Sequence, residues 1–183
     1  MSTVSNVSAG QPNVGGAVYM GATSATLPEN VTDALTGFSE LGYCSEDGLT
    51  NENSRESETI KAWGGDIVLD IQTEKTDTFS LTLIEALNLD VLKAYYGDGN
   101  VSGTLAGGIT VTVNSDELTE KAWVIDMIMR NGALKRIVIP CGKVTATEEI
   151  TYTDSETVGY GITITAFPDS AGNTHYEYIK AAS

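Results

Sequence analysis

Apolar and hydroxyl-bearing residues alternate one by one along several stretches of this 183-residue chain, and this period of two limits its fold more than any other feature. Residues 79–83 read Phe-Ser-Leu-Thr-Leu, and residues 109–113 read Ile-Thr-Val-Thr-Val. Successive side chains of a strand point to opposite faces, so this pattern places the apolar set against a core and the hydroxyls toward water. The alternation therefore predicts half-buried β-strands and a mainly β fold.

Candidate strands cover most of the chain, and short turns separate several of them. They lie at residues 17–20, 38–44, 67–71, 79–83, 109–113, 123–130, 134–140, 150–153, 160–165 and 175–179. Asn131-Gly132 predicts a hairpin between the runs 123–130 and 134–140, with a type I′ turn in which both central residues have positive φ. A second hairpin is predicted between 150–153 and 160–165.

Residues 88–97 interrupt the β pattern and predict one short helix. Asn88 is a good N-cap, Asp90 lies near the positive end of the helix dipole, and Gly97 follows as a terminating residue. Between them, spacings of three and four give an apolar stripe of Leu89, Leu92 and Tyr96. A helix of this length is marginal alone, so we expect it to pack on the sheet.

Two polar segments lack this periodicity. Residues 1–16 are rich in Ser, Asn, Val and Gly and predict a flexible N-terminal arm. Residues 45–65 are acidic, yet the segment ends in Ile60 and Trp63, which a purely solvated loop would not keep. We interpret 45–65 as a long inter-strand loop that is mobile in the isolated monomer and orders against another chain; an ordinary acidic surface loop is the alternative.

The composition excludes several classes of protein. The 25 acidic and 10 basic residues leave a formal charge of −15, which opposes binding to phosphate backbones or anionic lipid. No apolar run is long enough to span a bilayer, and the first residues show no basic and apolar export signal. Two cysteines, Cys44 and Cys141, are too few for a disulfide framework and predict reduced, largely buried thiols.

No pattern of residues predicts catalysis, a metal or a cofactor. The single histidine, His175, lies in a strand candidate without a nominated nucleophile or orienting acid, so we expect a strand-face imidazole. Residues 98–103 match the start of a calcium loop, but Ile109 stands where a bidentate glutamate is needed, which favours a turn after the helix. Phosphate-loop, dinucleotide and zinc motifs are not found, so a structural or interaction role is expected.

The chain resembles the major tail tube proteins of long-tailed bacteriophages with non-contractile tails. The residues that carry the resemblance are Gly-Ala-Val-Tyr-Met-Gly at 16–21, the run from Phe38 into the polar segment at 45–65, the stretch 74–85, and the helix with its Gly-rich turn at 89–101. The resemblance implies a β-sandwich or half-barrel with one flanking helix. It also implies a single tube domain over 17–183, without the C-terminal immunoglobulin-like domain of larger members.

In such proteins the subunits join in hexameric rings, which stack into a hollow tube that delivers DNA to the host bacterium. The resemblance thus implies a virion protein whose main partner is itself, with a tail initiator or distal tail protein, a tape measure protein and a tail terminator as further partners. DNA would pass without specific binding, and no membrane or cofactor is involved.

Two sets of residues are predicted to serve this role. The inter-subunit or inter-ring contacts are placed in the 45–65 segment, at Glu46, Asp47, Glu52, Arg55, Glu56, Glu58 and Trp63. A carboxylate-lined wall repels phosphate, so part of the negative charge is expected to face the lumen, with Glu40 and Asp70 as candidates. Alternatives are another ring-forming tail or secretion-tube component and, in a different class, a β-sandwich adhesion or carbohydrate-binding module.

Overall fold

A computed structural model describes Val4, residues 7–13 and residues 17–182 of the chain. This part of the chain contains eleven strands and one α-helix. In chain order they are β1 (Gly10–Pro12), β2 (Val18–Gly21), β3 (Phe38–Glu40), β4 (Cys44–Lys61), β5 (Ile67–Leu83), α1 (Leu89–Tyr96), β6 (Val101–Thr104), β7 (Gly108–Val111), β8 (Lys121–Met129), β9 (Leu134–Thr147), β10 (Tyr160–Ala166) and β11 (Tyr176–Lys180). The predicted fold class, mainly β with one short helix, is confirmed.

Nine of these strands form one antiparallel sheet. Its main path runs β3-β2-β8-β9-β10-β5-β4, while β1 adds to β8 and β11 adds to β9. Strands β6 and β7 form a separate two-stranded hairpin. In this order β3 and β4 lie at the two ends of the path, so each leaves one side of its backbone without a partner strand in the described chain.

The core lies on one face of the sheet, as the alternation predicts. Phe79, Leu81 and Leu83 of β5 are buried, whereas Ser80 between them points to the other face and hydrogen-bonds Thr163 of β10 at 3.0 Å. Trp123 of β8 is also buried and donates its indole N–H to the Gly142 carbonyl at 3.1 Å. At β5 and β10 the sheet therefore has an apolar face and a face that carries hydroxyl groups.

The predicted helix forms with the predicted ends. Asn88 caps α1, because its side-chain oxygen accepts a hydrogen bond from the Asp90 backbone N–H at 3.0 Å. Gly97 ends the helix with φ at 97°, a conformation that strongly favours glycine, and its N–H donates to the Lys93 carbonyl at 2.8 Å. Val91, Leu92 and Ala94 are buried against the core.

A buried ion pair fixes the segment between β2 and β3. Arg136 of β9 is 5% exposed, and its guanidinium donates to both carboxylate oxygens of Asp126 at 2.6 and 2.7 Å. A further Arg136 nitrogen donates to the backbone carbonyls of Asn30 and Asp33 at 3.0 and 2.8 Å. The charge is thus fully hydrogen-bonded, and the 30–33 turn is tied to the sheet.

The hairpin predicted at Asn131-Gly132 forms between β8 and β9, but its turn type differs from the prediction. Gly132 has φ at 82°, while no non-glycine residue described has positive φ. The Gly132 N–H donates to the Met129 carbonyl at 2.7 Å, and the Met129 N–H donates to the Ala133 carbonyl at 2.8 Å. Three residues therefore close the hairpin, with glycine alone in the left-handed region, instead of the two of a type I′ turn.

Two other expectations are wrong. Residues 150–153 are not a strand, because β10 pairs with β5 on one side and β9 on the other and leaves no free edge for a local hairpin. Part of the predicted flexible arm, Gly10–Pro12, is a strand paired to residues 127–129 of β8. Residues 1–3, 5–6 and 14–16 of that arm lie outside the described residues.

The segment 45–65 is also different from the expected loop. Residues 45–61 belong to β4, which pairs antiparallel with β5 from Cys44 opposite Leu83 to Lys61 opposite Ile67. The polar composition of this segment did not predict a strand, because backbone pairing with β5, and not burial of side chains, holds its outer half in place. Among the described residues, no helix is both long and apolar enough to cross a membrane.

Candidate assembly surface

The outer half of the β4–β5 hairpin stands away from the rest of the protein. Every residue from 55 to 75 is exposed, and we call this segment the projecting hairpin. Its inner half belongs to the core sheet, where Leu49 lies opposite the buried Leu81. At a strand rise of about 3.3 Å per residue, the projecting hairpin extends roughly 25 Å beyond the core.

Charged side chains separate onto the two faces of this hairpin. By the alternation of β4 and its register with β5, one face carries Glu56, Glu58 and Glu74, with Glu52 next to them toward the core, and no cation. Near the end of the hairpin the same face also carries Ile60, Leu69 and Ile71. We call it the glutamate face. The opposite face carries Arg55, Lys61 and Lys75 together with Asp70. Within the described chain, none of these charged residues takes part in an ion pair.

Like charges oppose each other across the two strands. Arg55 is directly opposite Lys75, and Glu56 is directly opposite Glu74. Such pairs destabilise a sheet, whereas opposite charges at the same places would stabilise it. A hairpin with this arrangement gains stability when another molecule places opposite charge against either face.

The end of the projecting hairpin is apolar and unburied. Ile60 lies opposite Leu69, and both are about half exposed, at 47% and 50%. Ile67, Val68 and Ile71 are exposed as well. By the register, Ile60, Leu69 and Ile71 share one face and Ile67 lies on the other. Several large exposed apolar residues among polar ones are typical of a protein–protein contact surface.

A tight turn presents one aromatic side chain at the apex. The Gly65 N–H donates to the Ala62 carbonyl at 3.0 Å, and the Ala62 N–H donates to the Asp66 carbonyl at 2.8 Å. Gly64 and Gly65 both have positive φ, which lets the chain reverse here. Trp63 lies between Ala62 and these glycines and is fully exposed.

A buried carboxylate anchors the base of the hairpin. Asp77 of β5 is 2% exposed and accepts hydrogen bonds from Asn51 at 2.9 Å and Thr174 at 2.5 Å. His175 Nδ1 lies 2.6 Å from the Asp77 carboxylate, and its ring packs edge-on against Phe79. Burial raises the pKa of Asp77, but the hydrogen bonds from Thr174, Asn51 and His175 outweigh it, so the pKa lies below its ordinary value of 3.8.

His175 is therefore a structural group, although not the strand-face imidazole that the sequence predicts. It precedes β11 and joins the C-terminal segment to β5, near the point where the hairpin leaves the core. The sequence could not nominate this pair, because 98 residues separate Asp77 and His175. The only sequence signal for this site was a charged residue, Asp77, directly before the alternating Thr-Phe-Ser-Leu run of a strand.

The two thiols are not paired, and neither is activated. Burial raises the pKa of Cys44 to about 11. Burial, together with the neighbouring Glu120, raises the pKa of Cys141 to about 11 as well. Both thiols are thus protonated at neutral pH and are poor nucleophiles. No group of His, Cys, Asp or Glu within the described residues is arranged to hold a metal ion.

The structure distributes the predicted contact residues along one element. Glu46 and Asp47 lie at the base of β4, Trp63 lies in the turn, and the other four follow the exposed strand between them: Glu52, Arg55, Glu56 and Glu58. Residues of β5, for which the sequence predicted no contact role, complete the surface: Ile67, Val68, Leu69, Ile71, Glu74 and Lys75. Their signal was the apolar run at 67–71 beside an acidic segment.

The two predicted lumen residues are not brought together. Glu40 ends β3 at one end of the sheet path and lies opposite Tyr19. Asp70 lies in the projecting hairpin at the other end, opposite Thr59 and on the face that carries the cations. Their orientation toward a lumen stays a prediction.

The described chain thus combines an open antiparallel sheet, a flanking helix and a projecting hairpin with exposed side chains. The chain belongs to the phage tail tube protein family, whose model matches residues 9–183. It is accordingly a tail tube subunit, a structural protein of the virion with a non-enzymatic role. No curated protein matches the chain.

One solved structure agrees with this fold. The chain is similar to one in the extended sheath–tube complex of an extracellular contractile injection system, PVC, with 9% identity and a TM-score of 0.50 over 100% of this chain and 99% of that one. A second match is the tube-terminating cap of the anti-feeding prophage, with 8% identity and a TM-score of 0.48 over 97% and 96%. At 9% identity the first likeness concerns the fold alone.

Proposed function

We propose that this subunit assembles into hexameric rings, and that the rings stack into a hollow tube that conducts DNA into a host bacterium. The observation that carries the proposal is the projecting hairpin, whose residues 55–75 are all exposed and whose end is apolar. Such a hairpin buries nothing in the monomer, so its apolar surface is stabilised only by contact with another chain.

The ends of the sheet support ring closure. Strands β3 and β4 end the sheet path, and an exposed strand edge is a template for pairing with a neighbouring chain. When the same two unlike surfaces meet between successive copies, the contacts either close a ring or continue as a filament. A tail tube requires contacts that close within each ring and contacts that continue from ring to ring along the tube axis.

The glutamate face is the best-supported candidate for part of the lumen wall, which moves Glu52, Glu56 and Glu58 from the predicted inter-subunit contacts to the predicted lumen. It continues onto the hydroxyl-bearing face of the core sheet, where Thr78 and Ser80 follow on β5 and Thr163 and Thr165 follow on β10. A wall of carboxylates and hydroxyls stays hydrated and repels phosphate, which lets a duplex slide instead of binding. Glu40 stays a further candidate, whereas Asp70 lies on the opposite face of the hairpin and would face the lumen only if the glutamate face did not.

Negative-stain electron microscopy of the purified protein, concentrated and incubated at moderate salt, tests this proposal. We expect hollow tubes with six-fold end views. Single rings that do not stack would instead favour another ring-forming tail component. Uniform monomers at every concentration and salt, from protein with a folded circular dichroism spectrum, would contradict self-assembly and favour the binding-module alternative.

The distal tail protein, the tape measure protein and the tail terminator remain proposed partners of the assembled tube. A non-contractile tail likewise stays a prediction.

A further inference from the structure

A groove of about 550 Å³ opens beside the base of the hairpin. Met127 and Met129 of β8 and Leu49 of β4 form its apolar surface, and the strand β1 forms one wall. Methionine side chains adapt to the shape of an incoming aromatic group, which makes this lining suited to a bulky apolar partner.

The charges at the groove are mainly negative. Glu46 and Asp47 line it and are exposed. Lys135 also lines the groove, but its ammonium is already paired with Glu177 at 2.8 Å. The groove therefore presents two carboxylates to a binding partner, and its one lysine is already in an ion pair.

The apex of the projecting hairpin has the complementary properties. Trp63 is 106% exposed, Ile67 is 63% exposed, and Lys61 supplies a positive charge at the same end. Tryptophan is enriched among the residues that dominate binding energy at interfaces, because it buries a large area with few rotatable bonds. Asp66 pairs with Ala62 across the turn, so the apex carries one charge of each sign, and Lys61 is the one that complements the carboxylates of the groove.

The apex cannot reach the groove of its own chain. The groove includes the base of β4 at Leu49, and β4 pairs with β5 from there to Lys61. Twelve residues of strand separate the two places by roughly 40 Å. An apex that fills this groove therefore belongs to a second copy.

We propose that Trp63 of one copy seats in the groove of the next copy, between Met127 and Met129, with Lys61 beside Glu46 and Asp47. This contact rests on the proposed function and names its subunit interface. Apex and groove are different patches, so each copy offers one of each, and the contact propagates from copy to copy.

Trp63→Ala tests the apex, with Leu87→Ala as the matched control because Leu87 is also an exposed apolar residue outside the hairpin. Since Trp63 is fully exposed, we expect both variants to keep the melting temperature of the parent protein. The concentration needed for tube formation should rise at least about tenfold for Trp63→Ala and stay unchanged for Leu87→Ala. Tubes of Trp63→Ala at the parent concentration would overturn the proposal.

A photo-reactive benzophenone side chain at position 63 identifies the occupant directly. We expect cross-links between two copies that map by mass spectrometry to β1 and to residues 127–129. Cross-links within one chain, or to another surface of a neighbour, would overturn this contact; if tubes are still seen by electron microscopy, the proposed function is retained. The absence of both tubes and cross-links between copies would overturn the contact and the proposed function together.

Discussion

At the scale of single residues, one buried carboxylate connects three parts of the chain. The Asp77 carboxylate is hydrogen-bonded to Asn51 of β4. It is also hydrogen-bonded to Thr174 and His175, which lie in the segment before β11. Charge-assisted hydrogen bonds in a buried site are among the stronger polar contacts, and losing one partner leaves the others unsatisfied. Asp77 thus fixes both the base of the projecting hairpin and the start of the last strand.

We predict that Asp77→Asn lowers the free energy of unfolding by about 1–3 kcal/mol at pH 7, as measured by urea denaturation. The folded pKa of Asp77 lies below 3.8, so its ionised form stabilises the protein above that pH, and this contribution is lost as the pH falls through the folded pKa. The difference in the free energy of unfolding between Asp77→Asn and the parent protein should therefore become smaller below pH 3.8.

Asp154→Asn is the control, because Asp154 is exposed. Its free energy of unfolding should match that of the parent protein at pH 7 and below pH 3.8. A difference between Asp77→Asn and the parent that stays constant down to pH 2 would show that the network does not depend on the ionised carboxylate.

At the scale of elements, the projecting hairpin is the surface through which we propose that the subunit contacts its neighbours. Its strands are ordered by backbone pairing along the full length of β4, while its side chains from 55 to 75 contact solvent. The opposed pairs Arg55–Lys75 and Glu56–Glu74 weaken it in isolation. Stability of the core and assembly of the tube should therefore be separable.

We predict that replacing residues 57–73 by Asn-Gly, which joins the opposed Glu56 and Glu74 by a short turn, leaves a folded monomer that forms no tubes. The removed residues are exposed, so the melting temperature should change by no more than about 4 °C. Thermal circular dichroism and electron microscopy measure the two effects. If the shortened protein unfolds, the hairpin is part of the folding core; if it still forms tubes, another surface holds the subunits together.

At the scale of the whole molecule, the net charge is −15, and the charges on the hairpin are divided unevenly between its two faces. The glutamate face carries four carboxylates, whereas the opposite face carries three of the ten basic residues. Packing that buries the cationic face against acidic neighbours would leave the glutamate face toward the tube axis. The charge of the assembled lumen then follows from the alternation of two strands.

We predict that tubes of the triple variant Glu52→Lys, Glu56→Lys and Glu58→Lys co-sediment with short duplex DNA at about 50 mM salt, and that parent tubes do not. Binding should fall steeply as salt is raised, because it depends on counterion release. The matched control carries the same charge change on exposed residues outside the hairpin: Glu149→Lys, Asp154→Lys and Glu156→Lys. Equal DNA binding by the two variants, or loss of tubes in the first, would contradict a lumenal glutamate face.

The sequence by itself determined the elements whose signals are local. Helix α1 has the predicted cap at Asn88 and the predicted end at Gly97, because both act on backbone groups within one turn of the helix. The strands at 123–130 and 134–140 were predictable from their alternation, and Asn131-Gly132 marked the hairpin between them. Each of these features depends on residues only a few positions apart.

Tertiary structure alone decided which strands pair and what lies at the site. Residues 45–61 are polar enough to be a loop, and they are a strand only because β5 offers a register of partners; residues 150–153 have a strand pattern but find no free edge. Asp77 meets His175, and the groove forms beside the base of β4, across long separations in the chain. Hydrogen bonds and burial between distant segments leave no period in the sequence, so only the folded chain reveals them.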